Sequence, residues 1–191
     1  MSYLFYYKQN FNDSISGWDV SSVTDMGYMF GAAFSFNQPL NGWNVSKVTN
    51  MREMFSSASH FNQPLNDWNV SKVTSMYGMF MGASDFNQSL NGWDIRSVTN
   101  MDHMFGGADS FNQPLNSWVV GSVTNMANIM FRDVSSFNQP LNGWNVSKVT
   151  DMSYMFWHAS SFNQPLNAWN ISNIKWIMYM FKNASSYNQD L

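Results

Sequence analysis

Residues 36–60 read FNQPLNGWNVSKVTNMREMFSSASH, and the same phrase returns along the whole chain. Phe11, Phe36, Phe61, Phe86, Phe111, Phe137, Phe162 and Tyr187 each open a copy, 25 residues apart except for one interval of 26. A Trp stands seven residues after each of the first seven, from Trp18 to Trp169. The longer interval holds one residue inserted between Met126 and Met130, where the other copies set their two Met three apart. A period of this length belongs to arrays of stacked coils, in which each unit buries its apolar face only against its neighbours. The 191 residues therefore read as one domain, 1–191, with units starting at 11, 36, 61, 86, 111, 137 and 162. Partial units occupy 1–10 and 187–191.

Within the unit, Leu40, Trp43, Val45 and Val48 come first, with Val45 flanked by polar Asn44 and Ser46. That alternation predicts a short strand with one buried face. Met51, Met54, Phe55 and Ala58 follow at intervals of three, one and three, which predicts a helical or 3₁₀ turn with one apolar side. Asn62-Gln63-Pro64 then turns the chain, because Pro fixes φ and has no N–H for a ladder. The expected fold is an α/β repeat. Seven coils would place one parallel sheet opposite short helical turns.

Composition narrows the function classes. Charged residues are 11% of the chain, where about 25% is usual, and 25 Asn with 27 Ser supply the polarity. Hydrophobic residues at 45% and a net charge of −3 do not suit a disordered chain. Nine Lys and Arg, scattered along the sequence, make neither a nucleic-acid surface nor an anionic-membrane surface. No apolar run is long enough for membrane insertion by this segment. The absence of Cys excludes disulfides, thiolate metal sites and Cys nucleophiles.

The W-x-V-S-x-V-T-x-M-x-x-M-F-x-x-A-x-x-F-N-Q unit resembles the BspA-like leucine-rich repeat, in its mycoplasma-lipoprotein-type variant of unknown function. The resemblance covers essentially the whole chain. It implies a right-handed leucine-rich-repeat-like solenoid in a protein displayed at the cell surface or outside the cell, used for adhesion or protein binding. It transfers no catalytic motif and no cofactor. The partner it implies is a protein ligand or a host or matrix surface.

Most repeated columns have a structural explanation. The Trp column and the two Met columns, Met26 to Met152 and Met29 to Met180, read as core, which removes the idea of a soft-metal site. Asn37, Asn41 and their equivalents read as side-chain ladders at turns. N-x-Ser sequons at Asn12, Asn44, Asn69, Asn87, Asn145, Asn170 and Asn183 leave glycosylation as the rival. The Thr column, Thr24 to Thr150, raises ice binding, but its neighbouring column is mixed. His60, His103 and His158 share no column, and Asp19 and Asp94 lie three coils apart, so neither catalytic site nor metal site is expected.

Information then lies where the units differ. The sixteenth and seventeenth positions after each Phe vary, as in Arg52-Glu53, Tyr77-Gly78 and Ser153-Tyr154. So do the turn pairs that follow, such as Met81-Gly82, Arg132-Asp133 and Trp157-His158. Tyr154, Trp157, Trp176 and Tyr179 put large aromatics where other units are polar or small, and they form the expected binding site. The expected function is a non-catalytic surface module for protein binding or adhesion. A structural spacer is the main alternative, and glycan or ice binding a lesser one. Both termini cut through a unit, which predicts a segment of a longer protein with end-to-end self-association through open coil faces. Alternatively, Tyr3, Phe5, Tyr6 and Tyr7 form an N-terminal cap.

Overall fold

The computed structural model describes residues 1–124, 126 and 130–190. Successive 25-residue units stack in register, and the hydrogen bonds between them fall at separations close to the repeat. In the coil that begins at Phe36, Thr49 N–H donates back to the Thr24 carbonyl at 2.8 Å. Four N–H groups then donate forward to the following coil: Met51 to Ser75, Glu53 to Tyr77, Phe55 to Met79 and Ser57 to Met81, at 2.6–3.0 Å. Between these, Met54, Ser56 and Ala58 close short turns onto the carbonyls of Met51, Glu53 and Phe55. Each N–H in this stretch thus bonds alternately to the next coil and to its own. Backbone donors are satisfied without a regular element.

The expected fold class is overturned by this pattern. Among the described residues there is no helix and no continuous strand, so no parallel sheet faces a row of helical turns. Among the described residues only isolated parallel bridges occur, Asp25 with Asn50, Asn50 with Ser75, Ser75 with Asn100, and Asp151 with Trp176. The inter-coil ladder lies at Met51–Ser57, where a helical turn was expected. The expected strand is instead a pair of tight turns, closed by Trp43 N–H on Leu40 and Val48 N–H on Val45.

Two left-handed residues in each coil described throughout explain the difference. Glu53 has φ 50° and Ser57 has φ 57°, and the same two columns recur at Tyr28 and Ala32, at Gly78 and Gly82, and at Tyr154 and His158. A left-handed residue after each turn stops it from winding on into a right-handed helix. The chain is laid flat, with carbonyls directed at its neighbours. The three-one-three spacing of Met51, Met54, Phe55 and Ala58 still puts all four on the buried side. That spacing fits a string of reversed turns as well as a helix.

The core matches the column reading, apart from the first Trp. Phe, Leu, Val, Met and Ala columns are buried through the middle coils, including both Met columns. Phe55 and Phe61 stack at 4.0 Å within a coil. Each also continues a column to the next coil, 5.7 Å to Phe80 and 6.1 Å to Phe86. Trp43 to Trp169 are buried, but Trp18, assigned to the same core column, is 41% exposed. Each buried indole donates to a main-chain carbonyl of the preceding coil, for example Trp68 to Leu40 and Trp93 to Leu65, both at 2.9 Å. Trp18 belongs to the first full unit, and its ring centre lies 5.8 Å from that of Phe5.

The Asn ladders are present. Asn37 Oδ1 accepts from the Asn62 N–H and from the Gln63 amide, both at 3.0 Å, and Asn62 repeats this with Asn87 and Gln88. A second column caps the turn before each Trp, as Asn66 and Asn116 accept from Gly92 and Gly143 N–H. The Thr hydroxyls also point along the stack. Thr74 Oγ1 donates to the Thr49 carbonyl at 3.2 Å, so its proton is committed inside the array and not to an outer lattice.

Candidate binding face

The two left-handed columns occupy the variable positions found in the sequence. In each variable pair the second residue takes the left-handed conformation: Glu53, Gly78 and Tyr154 in one column, Gly82, Asp133 and His158 in the other. Most of their side chains and those of their partners lie on the outside of the stack, the buried Ser153 excepted, while the invariant apolar residues fill the core. Variation and backbone geometry are therefore two views of the same surface.

Of the four expected site residues, three form a contiguous aromatic set. Tyr154 and Tyr179, in adjacent coils, have ring centres 5.5 Å apart, and Tyr154 lies 5.4 Å from Trp157. The Arg132 guanidinium sits 4.1 Å over the Trp157 ring, and Lys182 Nζ lies 4.9 Å from the Tyr179 ring. Arg132 Nε also donates to Asp133, whose other oxygen pairs with His158 at 2.9 Å. Trp176 makes no ring contact with the other three. It is 52% exposed and stands across a hollow of about 320 Å³ lined by Asp151, Ser153, Tyr154, Trp176 and Met178.

A second aromatic bank on the same face escaped the sequence reading. Tyr3 stacks on Tyr28 at 4.6 Å, and Tyr6 meets both edge-on. Phe5, grouped with them in the cap reading, instead joins the buried ladder, stacked 3.8 Å from Phe11. Arg52 continues the bank: its guanidinium lies 3.9 Å over Tyr77, and its Nε donates to the Tyr28 hydroxyl at 2.7 Å. That hydroxyl donates to Glu53 at 3.0 Å. Burial pushes the Tyr28 phenol up, and the Tyr28 hydrogen bond raises the Arg52 guanidinium further. The signal was available, since Tyr28, Tyr154 and Tyr179 share the seventeenth column.

Between the banks lies a saddle where the decorated columns carry Gly78, Gly82, Gly106 and Gly107. His103 and Arg132 border a hollow of about 260 Å³ there. Burial, with Arg132 nearby, holds the His103 imidazole below its ordinary value. Burial together with the Asp151 charge pushes the Asp102 carboxyl up to about 6. Among the described residues, no group of three His, Cys, Asp or Glu side chains could hold a metal ion. Among the described residues no helix is long and apolar enough to cross a membrane.

The sequons separate into geometric classes. Asn44, Asn69, Asn145 and Asn170 are exposed and close Asx turns, accepting from the N–H of Ser46, Ser71, Ser147 and Ser172. Asn12 and Asn87 have their side-chain oxygens engaged in the amide ladder.

Stacked units, a continuous core and one decorated lateral face define a tandem-repeat protein. The chain belongs to the family described as Mycoplasma protein of unknown function, DUF285, whose model matches residues 1–93, 43–131 and 82–191. The three overlapping matches together span its length. No curated protein matches it.

Proposed function

We propose that this chain is a non-catalytic binding module that engages a protein ligand, such as a host or matrix surface component, through the lateral face at Tyr154, Trp157, Trp176 and Tyr179. The observation that carries this reading is the aromatic set itself: rings in adjacent coils, Tyr179 exposed and Tyr154 and Trp157 half-buried, with Arg132 and Lys182 laid against them. Tyr, Trp and Arg are the side chains that most often anchor protein interfaces, because they bury large areas while keeping a polar handle. A spacer would need the core and the ladders but no such set. The resemblance to BspA-like surface proteins supports display at the cell surface or outside the cell, with adhesion as the use.

The test replaces Tyr154, Trp157 and Tyr179 together by Ser. Recovery of surface or matrix proteins by the parent chain should be lost in the variant, with the melting temperature lowered by no more than about 3 °C, since surface substitutions rarely cost much stability. Equal recovery by both chains would favour the spacer, and unfolding of the variant would make the rings part of the core. Single Tyr179→Ser, at a ring 54% exposed, then separates binding from folding.

A further inference from the structure

The column that contains Trp176 behaves differently in the other coils. At Asp25 the following coil supplies Asn50, whose amide donates to Asp25 Oδ1 at 3.0 Å while Gly27 N–H donates to the same oxygen at 2.8 Å. The corresponding carboxylate five units along the stack is Asp151. It keeps the local turn, accepting from Ser153 N–H at 2.8 Å. The following coil, however, puts Trp176 where Asn50 stands, bridged to Asp151 through the backbone. An amide donor is thereby replaced by an indole wall. The carboxylate then lines a hollow whose other walls are Tyr154, Trp176 and Met178.

Three aromatic or thioether walls and one carboxylate make a site for a cation with an apolar stem. A ring face attracts an ammonium through its quadrupole, most strongly for Trp. The stem of a long side chain packs against Tyr154 and Met178 while its head reaches the carboxylate. Among the described residues none of the chain's own ion pairs uses Asp151. Lys182, a cation on this bank, is engaged with the rings of Tyr179 and Trp157.

We infer that the hollow formed by Asp151, Ser153, Tyr154, Trp176 and Met178 receives a lysine side chain of the protein partner, its ammonium held between the Asp151 carboxylate and the Trp176 ring. This rests on the reading of the lateral face as a protein-binding surface, and it names the chemistry that the surface selects.

The probe is Nα-acetyl-lysine methylamide, titrated into the intact chain while the indole N–H signal of Trp176 is followed by NMR. A saturable shift is expected, weakened by salt because the carboxylate is partly exposed. The Nε-acetylated probe has the same stem without the charge and should give no saturable shift. Asp151→Asn should weaken the lysine probe about tenfold, the equivalent of about 1.4 kcal/mol. Trp176→Asn, which places there the residue found at Asn50 and Asn100, should abolish the lysine-induced shift of the Met178 methyl signal, followed in parent and variant alike, without lowering the melting temperature. Equal binding of both probes, an Asp151→Asn chain that binds like the parent, or binding of choline without lysine would each overturn the assignment. Such a failure leaves the pull-down with the triple Ser variant untouched, so the two readings fail separately.

Discussion

At the scale of single residues, the left-handed columns set what each position tolerates. A non-glycine residue in this conformation brings Cβ against the following carbonyl at a cost of about 1–2 kcal/mol, and Asn suffers least because its amide bonds locally. Among the described residues twelve other than glycine nonetheless adopt it, Tyr, His, Ser, Glu and Asp among them. Most of them persist because the forward hydrogen bond of the left-handed residue is part of the stack, as in Glu53 N–H to Tyr77 at 2.7 Å. Gly82, at φ 68°, isolates the conformational cost, since a Cβ there would meet nothing closer than Ser57 Oγ at 3.4 Å. Gly82→Ala should therefore lower stability by about 1 kcal/mol through backbone strain alone, and Gly82→Asn by less. Urea unfolding with an unchanged m-value would measure both. An Ala variant as stable as the parent would remove the left-handed columns as the feature that prevents helix.

At the scale of the coil, the Trp is both packing and hydrogen bond. Trp93 is buried against Phe80, 6.4 Å between ring centres, and its indole donates to the Leu65 carbonyl of the preceding coil at 2.9 Å. Trp93→Ala should cost about 3–5 kcal/mol, as large-to-small changes at buried aromatics do. Trp93→Phe keeps a ring but leaves Leu65 without its donor, at about 1–3 kcal/mol. Denaturant midpoints for the two variants should rank in that order, and equal midpoints would assign the whole effect to the carbonyl. This column was legible in the sequence because burial of an invariant large side chain depends on period, not on secondary structure. So were the Phe and Met columns and the Asn37-type ladder. The element type was not legible, for a physical reason: Met51, Met54, Phe55 and Ala58 occupy one side in a helix and in a string of reversed turns alike. What separates the two is the sign of φ at Glu53 and Ser57, and neither Glu nor Ser announces a left-handed backbone as Gly does. The candidate face was half legible. Tyr154, Trp157 and Tyr179 stood out as departures from the repeat, whereas Arg52 and the Tyr3–Tyr28 stack appear only once coils are set on one another.

At the scale of the whole molecule, the forward hydrogen bonds give the stack a direction. Each coil donates from the residues of its ladder and accepts at the carbonyls between them. In residues 1–191 the last such coil has donors at Ile177, Tyr179, Phe181 and Asn183 with no acceptor among the described residues, because their counterparts Met152, Tyr154, Phe156 and His158 donate forward to Trp176, Met178, Met180 and Lys182. At the other end Tyr3, Phe5 and Tyr7 donate forward to Gly27, Met29 and Gly31, while the carbonyls of Ser2, Leu4 and Tyr6 accept nothing from a preceding coil. A donor edge and an acceptor edge of the same period face opposite ways, so two copies of the chain match head to tail and not head to head. Unpaired edges of this kind template association, and a heterologous contact that does not close grows into a filament. Light scattering of the 191-residue chain should therefore show assembly that increases with concentration and lengthens beyond the dimer. Ile177→Pro removes one donor at the edge, and its own carbonyl still accepts from Met180 N–H, so the last turn is kept. The variant should shift assembly to higher concentration with little change in melting temperature. A parent chain that stays monomeric at millimolar concentration would mean that the aromatic side chains at Tyr3, Tyr6 and Tyr179 shield the edges well enough to act as caps.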